Sequence, residues 1–178
     1  MSQPFPGAVV EPVELAQAKG MVCIRPAGAS DVESLSVYFT GLSTTSRNKR
    51  FMGARTDLAI VAAECVAKAE RPDHFTLLAE VRQEGLHTII GEAHYAYDAR
   101  ARHGEFAISV ADAFQRLGLG IQMMNAMETR ASDLGHEMIA AETARTNAEM
   151  RGLAKKAGFS DTGLGDWQSF HFAKRISR

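Results

Sequence analysis

The run Gln115-Arg116-Leu117-Gly118-Leu119-Gly120 constrains the fold of this chain more than any other segment. It follows a β-compatible stretch at residues 105–110. It then enters a pattern in which Ile121, Met124, Met127, Ala131 and Leu134 recur at helical intervals of 3, 3, 4 and 3. Glycines in such a turn let the backbone approach a ligand with no Cβ in the way, and free amides at a helix start favour a phosphate. No Gly-Lys-Ser/Thr follows, which excludes a P-loop, and the three-glycine spacing of a dinucleotide fingerprint is absent. On this string alone, a tight strand-to-helix connection is an equally good reading.

The rest of the chain supplies context. Its 178 residues suffice for one ordinary domain. Residues 1–20, interrupted by Pro4, Pro6 and Pro12, read as a flexible or loosely docked arm, and residues 21–178 as the single domain. Residues 21–25 suit a first strand stopped by Pro26. Ser30 and Glu33 match a capping box ahead of a helical face made by Leu35, Tyr38, Phe39 and Leu42. Asp57 reads as the N-cap of a second long helix. Residues 75–81 and 88–97 are strand candidates around a Gln83-Glu84-Gly85 turn, with Gly91 marking a bulge or a close approach. After the glycine turn and its helix come a strand at 138–143, a helix opened by a Thr146/Glu149 capping box, and two short strands around Gly163-Leu164-Gly165. This order predicts a mixed α/β fold, with a mostly antiparallel central sheet flanked by helices.

Charge and cysteine content narrow the function classes. Twenty Lys and Arg against 21 Asp and Glu leave a net charge of −1, which argues against nucleic-acid binding by phosphate neutralisation. Cys23 and Cys65 cannot build a disulfide framework or a four-thiolate metal site, and both sit in apolar patterns. The six histidines show no metal-ligand spacing, so no metal is expected. No signal peptide or membrane span is visible, which makes the cytoplasm the expected location.

The turn Q-R-L-G-L-G closely resembles the acetyl-CoA-binding turn of the GNAT N-acetyltransferases. Upstream, E-F-A-I-S-V resembles that family's splayed fourth strand, and downstream residues 147–159 resemble its last helix. Residues 42–53 are similar to the acetyltransferase domain of bacterial protein lysine acetyltransferases. The resemblance implies a GNAT-like sheet with splayed fourth and fifth strands, and acetyl-CoA as cosubstrate. It implies that Gln115, Arg116, Leu117, Gly118, Leu119 and Gly120 hold the pyrophosphate. The backbone of Ile108, Ser109 and Val110 would pair with the pantetheine arm like an added strand. Asn147 matches a family residue near that arm, and capping of the following helix is an equally good reading. The implied acceptor is an amine, a protein lysine ahead of a small molecule. By analogy alone a homodimer is favoured.

The chemistry sets further demands. A lysine ammonium has a pKa of about 10.4, so neutralising it at pH 7 costs about 4.6 kcal/mol. A general base is therefore expected. Glu105 is the candidate, at the start of the strand that would carry the thioester, and Glu92 is second. Many family members place a Tyr on the last helix to protonate the leaving thiolate; here that pair is Leu153-Ala154. Tyr95 or Tyr97 is a candidate substitute from the sheet; a thiol has a pKa of about 8.5, so the thiolate can also leave without an acid, more slowly. His94 and His103 flank the site, and Arg47, Lys49, Arg50 and Arg55 read as a solvated face. With both cysteines in apolar patterns, direct attack in a ternary complex is favoured over an acetyl-cysteine route. The alternative is an acyl-CoA-binding regulatory or interaction protein without turnover.

Overall fold

A computed structural model describes residues 10–14, 21–68, 71, 73–83 and 85–176. In chain order its elements are β1 (Val10–Glu14), β2 (Met21–Pro26), α1 (Val32–Gly41), α2 (Thr44–Phe51), α3 (Leu58–Lys68), β3 (His74–Gln83), β4 (Leu86–Asp98), β5 (His103–Val110), α4 (Leu119–Asp133), β6 (Met138–Ala144), α5 (Ala148–Lys156), β7 (Ser160–Asp161) and β8 (Ser169–Arg175). The strands form one sheet in the order β1-β2-β3-β4-β5-β6-β8-β7. Every pairing is antiparallel except β5 with β6.

The expected splay is present. It falls between β5 and β6, one number higher than counted from the sequence, because Val10–Glu14 adds a strand in front. That segment belongs to the expected flexible or loosely docked arm, and it pairs with β2 at Val10↔Ile24, Val13↔Val22 and Glu14↔Met21. Pro12 is tolerated in this edge strand, where one side makes no ladder. Residues 1–9 and 15–20 lie outside the described residues.

Two apolar layers sandwich the sheet. On one face, Leu35 and Phe39 of α1 and Ala62, Cys65 and Val66 of α3 pack on Leu78 and Ile89. On the other, Leu119, Met123, Met124 and Met127 of α4 pack on Ala93, Tyr95, Ile139 and Phe172. Gly91 serves both expected purposes. The β3–β4 register slips between Ala79 and Glu80, opposite Gly91, and a Cβ on Gly91 would sit 2.7 Å from Met123 Sδ.

Helix starts differ from expectation in two places. The Ser30/Glu33 box does not form. Arg25 holds Asp31 through two hydrogen bonds of 2.8 Å, and Asp31 accepts from the Gly28 amide, so a single 3-10 turn at Ala29–Asp31 precedes α1. At α5 the N-cap is Asn147 rather than Thr146. Asp57 caps α3 as expected, accepting from Ile60 N at 3.0 Å.

Candidate active site

The parallel contact between β5 and β6 lasts only two residue pairs, Gly104↔Ile139 and Glu105↔Ala140. Beyond Glu105 the strands part, while β5 stays paired to β4 as far as Val110. Residues 106–110 therefore carry one open edge. Val110 O accepts from Gln115 Nε2 at 3.0 Å on that side. Backbone groups alternate in direction along a strand. The N–H and C=O of Ile108 thus face the opening, and those of Ser109 face β4. The side chains of Ile108 and Val110 pack against the core, so the strand builds the core and offers backbone at the same positions.

The opening leads to the start of α4. Arg116 and Gly118 both have positive φ, 63° and 89°, and this reversal turns the chain from β5 into the helix. The Gly118 N-cap has no side-chain cap bond, and the helical ladder begins with Gln122 N to Gly118 O. Among the described residues, no protein group accepts from the amides of Leu119, Gly120 and Ile121. An uncapped helix start of this kind suits an anion. Gly120 lies against Leu153 of α5, where a Cβ would meet Leu153 Cδ2 at 3.2 Å. Its lack of a side chain lets α4 and α5 close the end of the cleft.

The cleft has a volume of about 940 Å³. That suits an extended ligand of nucleotide size or larger. Its lining carries charges of both signs. Arg116 and Lys49 lie toward the α4 start, where Lys49 bridges from α2 to Glu149 of α5 at 3.0 Å. At the other end stand Glu105 and Glu142, each beside an imidazole. His103 Nε2 lies 3.4 Å from Glu105, and His171 Nε2 lies 3.5 Å from Glu142. Register puts all four on one face of the sheet, since Glu105 pairs Ala140 and Glu142 pairs His171. Glu105 is 72% exposed and is the third residue of β5, not its first as expected. The Glu142–His171 pair carried no local sequence signal, because it forms only across the β6–β8 ladder.

Other expected residues have different placements. Gln115 spends its side-chain amide on Val110 O and on Ser46 Oγ, at 3.0 and 3.2 Å, and so ties the turn to β5 and α2. Asn147 is buried at the cleft floor; Oδ1 caps Met150 N at 3.2 Å and Nδ2 donates to Thr143 Oγ1 at 3.0 Å. Glu92 cannot act as a second base, because both its oxygens are bonded to Arg50 at 2.8 Å and its side chain is fully buried. Arg50 accordingly does not belong to a solvated face. Tyr95 and Tyr97 lie on the opposite side of the sheet from Glu92. There Tyr95 Oη bonds His136 Nδ1 at 2.9 Å and Tyr97 stacks on the same ring at 3.7 Å. Neither lines the cleft, so neither reaches a leaving group there. His94 also lies outside the cleft, bonded to Thr76. Burial pushes the Cys65 thiol up to about 12, which keeps it protonated and unreactive.

The family model described as the acetyltransferase (GNAT) family matches residues 43–159. The chain belongs to the GNAT acetyltransferase family. A Pseudomonas aeruginosa acetyltransferase is 25% identical over 78% of this chain and 74% of its own length. Among solved structures, the GNAT domain of S. lividans PAT superposes with a TM-score of 0.81 at 21% identity, covering 98% of this chain and 100% of that one. Salmonella typhimurium YncA, solved with its cofactor acetyl-CoA, superposes at 0.71 with 17% identity, covering 88% of this chain and 95% of that one. These likenesses establish the GNAT fold, with its mixed sheet and one parallel, diverging strand pair. GNAT members carry out acetyl transfer from acetyl-CoA. The open β5 edge, the uncapped α4 amides and the size of the cleft fit that thioester.

Proposed function

We propose that this chain transfers the acetyl group of acetyl-CoA to a primary amine, a protein lysine or a small molecule, by direct attack with both substrates bound. The observation that carries the reading is the continuous path from Glu105, along the open edge at residues 106–110, to the free amides of α4. An extended arm added to β5 would bond to Ile108 as another strand does. The α4 amides and Arg116 would take the pyrophosphate. The distribution of charge supports the pairing of substrates. Arg116 near the α4 start suits the anionic donor, and Glu105 and Glu142 suit a cationic amine.

In this reading Glu105 removes the proton from the acceptor ammonium, and the freed amine attacks the thioester carbon. The Ile108 amide, facing the opening, is placed to polarise the carbonyl. No cysteine intermediate is involved, since both cysteines are buried away from the cleft. Glu105→Gln should lower kcat about 100-fold, the usual scale for losing a general base. It should leave acetyl-CoA binding unchanged. Release of free CoA with lysine peptides and with small amines measures the first, and calorimetry the second. Full turnover in the variant across the pH range would remove Glu105 from the mechanism.

Ala154, buried on α5 without a hydroxyl, favours one second reading: a protein that binds acyl-CoA without turning it over. Tight acetyl-CoA binding with no CoA released from any amine tested would select it.

A further inference from the structure

A leaving thiolate gains from a hydrogen-bond donor, and the usual places for one are empty here. Ala154 has none, and two of the three tyrosines point to the far side of the sheet. The third, Tyr38 on α1, is buried, with its hydroxyl 3.0 Å from Ser109 Oγ. Ser109 lines the cleft on β5, between Ile108 and Val110.

Geometry alone leaves the direction of that bond open, but satisfaction decides it. A buried phenol O–H needs an acceptor. Among the described residues Tyr38 Oη has no hydrogen-bond partner besides Ser109. Tyr38 therefore donates and Ser109 Oγ accepts. The serine's own proton has no protein acceptor among the described residues, which leaves it free for the cleft. The groups facing Tyr38 are the Arg50–Glu92 ion pair and Asp112. Burial pushes the phenol above its ordinary value, so Tyr38 keeps its proton and aims the serine rather than feeding it.

We propose that the Ser109 hydroxyl is the donor to the sulfur of the departing CoA, with Tyr38 as its positioning residue. The inference rests on the acetyltransferase reading above. The new bond joins the amine nitrogen to the acetyl carbon, the carbon–sulfur bond breaks, and its electron pair stays on sulfur. The ammonium's first proton passes through the exposed Glu105 to water before attack, and the nitrogen's second goes to Glu105 as the tetrahedral adduct collapses. Ser109 keeps its own proton while bonded to the thiolate, which is protonated by water on release.

The test compares wild type, Ser109→Ala, Ser109→Thr and Tyr38→Phe in the full chain. Two quantities are read: kcat and KM with acetyl-CoA and a lysine peptide, and the titration of bound CoA followed by thiolate absorbance. Ser109→Ala should lower kcat about tenfold with KM for acetyl-CoA changed less than about twofold, as for one lost bond to a charged group. It should also raise the pH at which bound CoA ionises. Ser109→Thr, which keeps a hydroxyl, should restore both, and Tyr38→Phe should fall between. Unchanged kcat and unchanged CoA titration in Ser109→Ala, with wild type active, would overturn this proposal alone. A wild-type chain that binds no CoA would overturn the acetyltransferase reading and this proposal with it.

Discussion

Arg50 comes from a string of basic residues, yet its guanidinium is buried against Phe39 and Phe51 and bonded to both oxygens of Glu92. That pair sets the electrostatics beneath the cleft, and His94 responds to it. His94 Nδ1 donates to Thr76 Oγ1 at 2.9 Å, while Thr76 donates to Cys65 O at 3.0 Å. Burial holds the imidazole down to about 4, from an ordinary 6.5, with Arg50, His74 and Lys68 helping and Glu92 opposing. In the unfolded chain the ring takes a proton below about 6.5; in the folded chain it stays neutral to about 4. The unfolded state thus binds more protons in that window, and stability falls as pH drops through it. At about 1.36 kcal/mol per unit, His94 accounts for roughly 3 kcal/mol. His94→Gln should flatten the decline in urea midpoint between about pH 7 and pH 4.5. Burial also lowers His136, so part of the slope should remain. An unchanged slope would move the acid sensitivity away from His94.

At the scale of elements, α5 shows how a helix start can also be a wall of the site. Asn147 satisfies the Met150 amide and reaches back to Thr143 on β6, which sets the angle at which α5 leaves the sheet. Asn147→Ala should cost about 1 kcal/mol, the usual loss for an N-cap. That lowers Tm by about 2–4 °C in a chain of this size. Thermal unfolding by circular dichroism measures it, and a loss near zero would show that another group caps α5. The competing Thr146/Glu149 pattern was equally legible in the sequence. It lost because Glu149 is drawn to Lys49 on α2, 100 residues away along the chain. The Ser30/Glu33 box lost in the same way, to a bond between Arg25 and Asp31. Local capping patterns state what a segment can do, and a charged partner from another element decides among them.

For the whole molecule, the cleft is a sheet left unfinished between β5 and β6. A ligand arm lying there would complete it, so acetyl-CoA should slow hydrogen exchange at Ile108, whose amide faces the opening. Ser109, already paired to β4, should change little. It should also raise Tm by mass action, by about 2.7 kcal/mol of stability at 100 times the dissociation constant. Exchange mass spectrometry with and without acetyl-CoA measures the first effect, and equal protection of both residues would contradict the added-strand geometry.

The sequence by itself determined the order of elements after the first strand, the glycine turn, and the strand that precedes it, though that strand begins at His103, two residues before Glu105. These are local properties, set by periodicity, by backbone sterics at single residues and by neighbours a few positions apart. The tertiary structure decided which side of the sheet each side chain serves. It sent Tyr95 and Tyr97 away from the cleft, buried Arg50 on Glu92 across 42 positions, and joined Tyr38 to Ser109 across 71. Those outcomes depend on strand register and on which helix layer covers which face. Both follow from the packing of the whole chain, and no local pattern encodes them.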